Sequence, residues 1–114
     1  SDRRERARSK GVEVVSVPHD GPHVALGAAL RGLARLGMTS VLAEPGLTLA
    51  QALLDGDLID RLVLHVADHG GGTVVVPAVQ TPPETTWSFE RLGGAGPDLI
   101  VHLRRDRDRS RPYP

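Results

Sequence analysis

The chain has 114 residues, of which 39% are hydrophobic and 3% aromatic, and its formal net charge is zero. This length provides one small domain with a core of aliphatic residues. Zero net charge gives no whole-molecule field that would attract nucleic acid or a membrane surface. The lack of cysteine excludes disulfides, thiolate chemistry and cysteine-ligated zinc. With a charged N-terminus and no long apolar run, the sequence predicts a soluble cytoplasmic protein.

The first part of the chain combines short β-branched runs with one apolar repeat of helical spacing. Residues 1–10 are highly charged and fit either the last turns of a helix or a frayed terminus. Residues 12–17 predict a buried strand. The apolar spacing from Val24 to Leu36 predicts a helix that ends at Gly37. Residues 40–43 then predict a second strand.

A second helix is expected after this strand, with Thr48 as its N-cap and Gly56 at its end. Residues 62–67 predict the third strand. An alternation of strand, helix, strand, helix and strand predicts that the three strands pair in parallel through right-handed crossovers.

The second part of the chain changes character. Residues 69–72 predict a flexible loop and residues 74–76 a short strand. Residues 86–92 and 99–103 alternate as strands, and the Gly-rich link between them predicts an antiparallel pair. Residues 104–114 carry five Arg, two Asp and two Pro. We therefore predict a domain over residues 1–103 and a disordered tail over residues 104–114.

The most informative segment is Thr39–Leu49, which places a strand end, a Gly-containing turn and a helix start in succession. Ligands of parallel α/β sheets bind beyond the carboxyl ends of the strands. A helix N-terminus also offers free N–H groups to a phosphate. The segment is therefore compatible with an anion site. The alternative, which the residues alone favour, is an ordinary strand-to-helix connection in which Glu44 is solvated.

The same residues resemble the C-terminal part of the riboflavin-biosynthesis reductase domain, a dihydrofolate-reductase-like fold. That family has a strand ending in Glu-Gly-Gly, a helix with Thr-Leu near its start, and a Gly-Leu-Val-Asp-Glu link to the next strand. The matching runs here are Ser40–Ala50 (SVLAEPGLTLA) and Asp57–Leu62 (DLIDRL). Gly11–Val15 (GVEVV) and Asp98–Val101 (DLIV) resemble further strands of the family.

The resemblance implies a reductase that uses NADPH to convert the ribose of a phosphoribosylamino-pyrimidine to a ribityl chain. It places Glu44, the candidate catalytic residue, near the substrate and the nicotinamide. It also implies that Gly46, Leu47 and Thr48 approach the cofactor phosphates. Hydride transfer itself belongs to the cofactor, and the protein holds it against the substrate.

Three departures from the family are visible. Pro45 replaces the first family Gly and removes one N–H donor. Asp68 replaces a family Pro after the third strand. The family's N-terminal half, which supplies the first strand and further cofactor contacts, has no counterpart in these residues. Because this would leave apolar surface and a strand edge uncovered, we expect a dimer or larger assembly, joined by a sheet edge or by exchange of an element.

Other site chemistries find less support. The sequence contains no His-Glu-x-x-His helix and no Gly-x-Ser-x-Gly turn. Residues 69–73 fit a mobile loop better than an anion-binding nest, and Asp55, Asp57 and Asp60 fit helix termination better than a carboxylate cluster. The Arg-rich tail lacks the aromatic residues that would favour RNA. The five histidines are assigned to strand faces and loops rather than to a metal site: His19, His23, His65, His69 and His102.

These observations predict an α/β domain of the dihydrofolate-reductase-like type, with a mixed sheet and flanking helices. The leading functional hypothesis is an NADPH-dependent pyrimidine reductase of which this chain carries part of the site. The alternative is a non-catalytic binding or assembly module of the same fold.

Overall fold

The computed structural model describes residues 2–68, 70, 74–75 and 78–107. The chain forms two compact units, Ser1–Ala43 and Glu44–Pro114. No helix among the described residues is long and apolar enough to cross a membrane. The elements are the helices α1 (Asp2–Ser9), α2 (Leu26–Arg35) and α3 (Leu47–Asp55), and the strands β1 (His19–Asp20), β2 (His23–Val24), β3 (Arg61–Asp68), β4 (Val74–Val75), β5 (Trp87–Ala95) and β6 (Asp98–Arg105).

The first unit contains α1, the two-residue hairpin β1–β2, and α2. The helix α2 ends as predicted, because Gly37 takes a φ of +91° that favours glycine. Its one buried residue is Gly32. A Cβ atom there would lie 3.1 Å from Cγ1 of Val15, so glycine allows the segment around Val15 to pack directly on the helix.

The prediction of strands over residues 12–17 and 40–43 is wrong, as is the prediction that they pair in parallel with the third strand. Neither segment is a strand in the structure, and every strand pair among the described residues is antiparallel. A β-branched run favours extended backbone, but a ladder also needs a neighbouring strand. The described residues supply none, and Val12, Val41 and Leu42 remain 53%, 53% and 84% exposed.

The second unit is built on a four-stranded sheet of order β4-β3-β6-β5. Leu62, Leu64 and Val66 alternate along β3 with more exposed residues, so one face of the sheet is apolar. The most deeply buried apolar side chains of the described residues are Leu53 and Leu54 of α3, which are 8% and 2% exposed. The expected α/β class is confirmed, because the described residues form both helices and antiparallel sheets.

The hairpin β5–β6 confirms the predicted antiparallel pair and extends it towards the turn, to Ala95 and Asp98. A two-residue turn at Gly96-Pro97 joins the strands, and Gly96 takes a φ of +61°. Strand β6 continues to Arg105, two residues beyond the predicted domain end at residue 103. Residues 106 and 107 are also described, and residues 108–114 of the predicted tail lie outside the described residues.

Candidate functional site

The segment predicted to bind an anion forms the first turn of α3. Gly46 is the N-cap, with extended backbone at φ −68° and ψ 173° and no side-chain cap. The first intrahelical bond runs from the N–H of Ala50 to the carbonyl of Gly46 at 3.0 Å. The N–H groups of Leu47, Thr48 and Leu49 therefore have no backbone acceptor within the helix. These donors and the helix dipole together favour an anion at this end.

Gly46 leaves this helix end open. A Cβ atom built there would meet no other atom within 4 Å, and its φ is one that any residue adopts. Nothing in the fold therefore requires glycine at this position. The lack of a side chain does give a phosphate free access to the helix amides.

The prediction that Thr48 caps the helix is wrong. Helix α3 begins at Leu47, so Thr48 lies in the first turn, and no side-chain cap is formed. The cause is that Gly46 already has the extended backbone of an N-cap, which starts the helix two residues earlier than expected. Thr48 keeps an exposed hydroxyl beside the free amides.

Glu44 and Pro45 precede this helix end. Glu44 is exposed and forms no hydrogen bond or ion pair with the described residues, so its carboxylate is accessible to a ligand. Pro45 is partly buried and has no N–H to offer. The structure thus brings Glu44, Gly46, Leu47 and Thr48 into one short segment on the surface of the second unit.

An open groove of about 320 Å³ lies beside the later turns of α3. The side-chain amide of Gln51 joins the helix to the chain at Gln80. Its Nε2 donates to the carbonyl of Gln80 at 2.8 Å, and its Oε1 accepts from the N–H of Gln80 at 3.0 Å. Asp55 and Glu84 make the groove acidic, so it does not favour phosphate. Its lining is Gln51, Asp55, Gln80, Thr81, Pro82, Pro83 and Glu84.

The C-terminal end of α3 is closed by a left-handed residue that is not glycine. Gly56 is the C-cap, and the following Asp57 takes a φ of +52°. The N–H of Asp57 donates to Leu54 and the N–H of Leu58 to Leu53, both at 3.0 Å. This is the Schellman arrangement, in which Gly is the usual residue at the left-handed position and Asp is tolerated.

Asp57 also binds two arginines, Arg105 at the end of β6 and Arg107 two residues beyond it. Its Oδ1 accepts from Nε of Arg105 at 2.8 Å, and its Oδ2 accepts from Nη1 of Arg107 at 3.1 Å. Arg107 also donates to Oδ1 of Asp60 at 3.0 Å and to the carbonyl of Asp57 at 2.9 Å. The two arginine side chains are only 13% and 19% exposed. We call Asp57, Asp60, Arg105 and Arg107 the Asp–Arg cluster.

The Asp–Arg cluster perturbs the protonation of its members. The hydrogen bond from Arg105, together with the charge of Arg107, lowers the pKa of Asp57 below its ordinary 3.8, although burial opposes the shift. The same bond raises the pKa of Arg105. The carboxyl group of Asp57 is therefore ionised in the folded chain at neutral pH.

This shift predicts a loss of stability in acid. Since the pKa of Asp57 is lower in the folded state, its contribution is fully present above the unfolded pKa, near 4, and is lost as the pH falls through the folded value. Asp57→Asn should therefore be less stable than the original chain at pH 6, and the gap should narrow at pH 3. Urea unfolding at the two pH values checks this, and a gap that does not change would contradict the role of Asp57.

The sequence indicates a helix start within two residues of the observed one but gives no sign of the Asp–Arg cluster. Its local pattern predicts a helix end and a turn at Asp57 and Asp60, and a disordered tail that includes Arg105 and Arg107. Helix termination at Gly56 is confirmed, yet the carboxylates also bind arginines 47 to 50 residues away in the chain. No local sequence pattern predicts the pairing of these carboxylates with the arginines. The one signal in the sequence is the opposite charge of the two segments, residues 57–60 and 105–107.

Two of the described histidines, His65 and His102, have polar side-chain partners. Nε2 of His65 lies 3.0 Å from Oδ2 of Asp98, and Nη2 of Arg91 lies 3.1 Å from Nε2 of His102. Among the residues the structure describes, no group of three or more His, Asp or Glu could hold a metal ion. Residues 69 and 71–73 of the predicted loop lie outside the described residues.

Asp68, which stands where the family has Pro, uses its N–H. This group donates to Oδ1 of Asp98 at 3.0 Å, a bond that proline lacks. The carboxylate of Asp68 in turn accepts from the N–H of Gly70 at 2.7 Å. Asp68 therefore takes part in the hydrogen bonding at the end of β3 through both its N–H group and its carboxylate.

The helices and antiparallel sheets of the described residues, with an open helix N-terminus after a Glu-Pro-Gly turn, are those of the dihydrofolate-reductase-like class. The family of the RibD C-terminal domain matches residues 1–101, and the chain belongs to that family. The resemblance to the riboflavin-biosynthesis reductase domain is thereby confirmed.

A curated relative agrees with this family assignment. The chain is similar to the protein named "Riboflavin biosynthesis protein RibD" of Escherichia coli (strain K12), with 26% identity over 98 residues. The match covers 81% of this chain and 27% of that protein. The chain thus spans about a quarter of the length of the relative, so the activity of the whole relative does not transfer directly.

Proposed function

We propose that this chain carries the cofactor-phosphate part of an NADPH-dependent reductase site of riboflavin biosynthesis. The substrate would be of the 5-amino-6-(5-phosphoribosylamino)uracil type, and its ribose would be reduced to ribityl. The observation that supports the proposal most is the open first turn of α3 in a chain of the RibD C-terminal domain family.

The residues of this turn fit a phosphate. Leu47 and Thr48 offer N–H groups that the helix does not use, and Gly46 leaves access to them. Glu44 lies two residues before Gly46 and is free to contact the substrate side. When bound, NADPH would supply the hydride; the chain's own residues would hold the phosphates and orient the nicotinamide next to the substrate.

We expect weak NADPH binding by the isolated chain, with a dissociation constant in the high micromolar range or above. Pro45 removes one donor, and one hydrogen bond to a charged partner is worth about 1.5–3 kcal/mol, or roughly 10- to 150-fold in affinity. Pro45→Gly should therefore tighten binding. Fluorescence titration with NADPH measures the dissociation constants of the original chain and of Pro45→Gly. We also expect no NADPH oxidation with the substrate, because the resemblance assigns further contacts to a half of the domain outside these residues.

Turnover by the isolated chain at ordinary enzyme concentration would show that the site is complete and that this part of the proposal is wrong. If Pro45→Gly leaves the affinity unchanged, backbone approach at residue 45 does not limit binding. If neither the original chain nor Pro45→Gly binds NADPH at millimolar concentration, the assignment of a cofactor site to α3 is wrong.

A second candidate is a non-catalytic binding or assembly module. The observation that favours it is the pair of segments at residues 12–17 and 40–43, which carry strand-forming side chains without strand partners among the described residues. Under either candidate we propose a homo-oligomer in the cytoplasm. NADPH binding at α3 distinguishes the two candidates, because it is expected for the reductase and not for the non-catalytic module.

A further inference from the structure

The first turn of α3 is exposed and has few attachments of its own. Leu47 is 59% exposed and Leu49 is 43% exposed, and a Cβ atom built on Gly46 would meet nothing within 4 Å. Among the described residues, no hydrogen bond joins residues 46–49 to another element. Within α3, the position of this turn is therefore set by the attachments of the residues that follow it.

Gln51 is the first residue of α3 whose side chain is hydrogen-bonded to another segment of the chain. Its Nε2 donates to the carbonyl of Gln80 at 2.8 Å, and its Oε1 accepts from the N–H of Gln80 at 3.0 Å. We call these two bonds the Gln51–Gln80 pair. Nε2 also donates to Oδ1 of Asp55 at 2.8 Å, so both of its hydrogens are used.

The Gln51–Gln80 pair depends on the chemistry of the carboxamide. The pair needs a donor and an acceptor on neighbouring atoms, which face the carbonyl and the N–H of one residue. A glutamate side chain has no donor, a lysine side chain has no acceptor, and asparagine carries the same group on a shorter stem. The opposite orientation of the amide would set Nε2 against the N–H of Gln80, donor against donor. The two bonds therefore fix the orientation of the Gln51 side chain.

The segment that contains Gln80 is itself tied to the sheet. The carbonyl of Pro82 accepts from the N–H of Thr85 at 3.0 Å and from its Oγ1 at 2.7 Å, which closes a turn. Nε1 of Trp87, in β5, donates to the same Oγ1 at 3.1 Å. The Gln51–Gln80 pair therefore links α3 to β5 through this turn.

Gln51 lies next to the first turn on the surface of the helix. Residues three and four apart in a helix are neighbours, so Gln51 is adjacent to Leu47 and Thr48. The deeply buried residues Leu53 and Leu54 lie later in α3. They are roughly 11 Å along the helix axis from Gly46, at 1.5 Å per residue. Without the Gln51–Gln80 pair, α3 would pivot about these leucines, and its first turn would move furthest.

Such a movement matters for a phosphate because hydrogen bonds are directional. A hydrogen bond weakens steeply when the angle at its hydrogen falls below about 120°. The unused N–H groups of Leu47 and Thr48 belong to the first turn, so a tilt of α3 changes the direction of both together. A cofactor that is also held elsewhere cannot follow them fully.

We infer that Gln51 is a positioning residue for the phosphate site. Its pairing with the backbone of Gln80 sets the direction in which α3 presents the N–H groups of Leu47 and Thr48. Gln51 acts through the helix, since its own amide is occupied by Gln80 and Asp55. The inference rests on the proposed function, because it takes the first turn of α3 to bind the cofactor phosphates.

Gln51→Met tests the inference in the full chain. Methionine has a similar length and helix propensity, carries no charge, and cannot form the three bonds of Gln51. Residual dipolar couplings of the backbone amides measure the direction of α3 relative to β3 and β6 without any ligand. The couplings of α3 should change together while those of the two strands stay the same. The dissociation constant for NADPH should rise about tenfold.

The two readouts separate positioning from stability. A loss of stability alone leaves the direction of α3 and the NADPH affinity unchanged as long as the chain is folded, and the dispersion of the amide spectrum checks the fold. Gln51→Ala removes the same three bonds and should give the same two changes. Gln80→Ala is the matched control, because the pair uses only the backbone of Gln80. It should keep the direction of α3 and the affinity of the original chain.

Three results would overturn the inference and leave the proposed function standing. The first is an unchanged direction of α3 in Gln51→Met. The second is a changed direction with the NADPH affinity of the original chain. The third is an equal loss of affinity in Gln80→Ala, which would assign the effect to the side chain of Gln80. If the original chain itself does not bind NADPH, the proposed function is wrong, and the inference is wrong with it.

Discussion

Replacing Asp57 by Ala is expected to lower the free energy of unfolding of the second unit by about 3 kcal/mol. The substitution leaves Arg105 and Arg107, whose side chains are mostly buried, without their shared carboxylate. It also places Ala at a φ of +52°, a conformation that costs a residue with a Cβ about 1 kcal/mol. Urea unfolding followed by Trp87 fluorescence is a suitable measurement, because Trp87 lies opposite Arg105 in the sheet.

Two further variants at Asp57 separate the causes. Asp57→Gly removes the same carboxylate but accepts the positive φ, so it should be about 1 kcal/mol less destabilising than Asp57→Ala. Asp57→Asn tolerates the backbone and keeps one acceptor oxygen, so it should be the mildest of the three. If Ala and Gly destabilise equally, the left-handed backbone contributes nothing.

Asp55→Ala is the matched control for this series. Asp55 is exposed, lies two residues earlier, and accepts one bond from Gln51 at 2.8 Å. Its position in the last turn also opposes the helix dipole, so its removal should change stability by less than about 0.5 kcal/mol. A loss at Asp55 as large as the loss at Asp57 would show that the Asp–Arg cluster has no special part in holding β6 to the end of α3.

Gly46→Asp is expected to act in opposite directions on stability and on NADPH binding. An Asp at the N-cap accepts an N–H of the first turn and complements the helix dipole, which should stabilise α3 by up to about 1 kcal/mol. The new side chain meets no atom within 4 Å at Cβ, so no packing is lost. The same carboxylate would repel a phosphate and occupy its donors, so NADPH affinity should fall about tenfold or more.

Gly46→Asn is the matched control because it caps the helix with the same shape and without the charge. It should stabilise α3 to a similar extent and reduce NADPH affinity less than Gly46→Asp does. The difference between the two variants should shrink at high salt, since exposed charges are screened. Equal NADPH affinity for Asp and Asn would show that no phosphate lies at this helix end.

The elements that the sequence predicted well are those whose signals are local. Gly37 and Gly56 mark the ends of α2 and α3, and alternating residues with a glycine-rich link mark the β5–β6 hairpin. The strands predicted over residues 12–17 and 40–43 are not formed, because strand formation there depends on more than a local signal. Their composition favours extended backbone, but whether they join a ladder depends on a partner strand, which composition does not encode.

The candidate site divides in the same way. A turn next to an apolar repeat indicates a helix start near Thr48, two residues after the observed N-cap Gly46, and the roles of Glu44, Gly46, Leu47 and Thr48 stay predictions. The prediction that Thr48 caps the helix is wrong because local sequence signals fix the first residue of a helix only to within one or two positions. The bulge at Glu90 and the pairing of Asp57 with Arg105 depend on long-range register, which no local pattern of the sequence shows.

The most direct test of the cofactor site is to follow the backbone amide shifts of the chain during titration with NADPH. The largest changes are expected at Gly46, Leu47, Thr48 and Leu49, and they should saturate in the high micromolar range or above. Changes confined to other residues, such as the groove beside Gln51, with residues 44–49 unchanged, would contradict the cofactor site and favour the non-catalytic module.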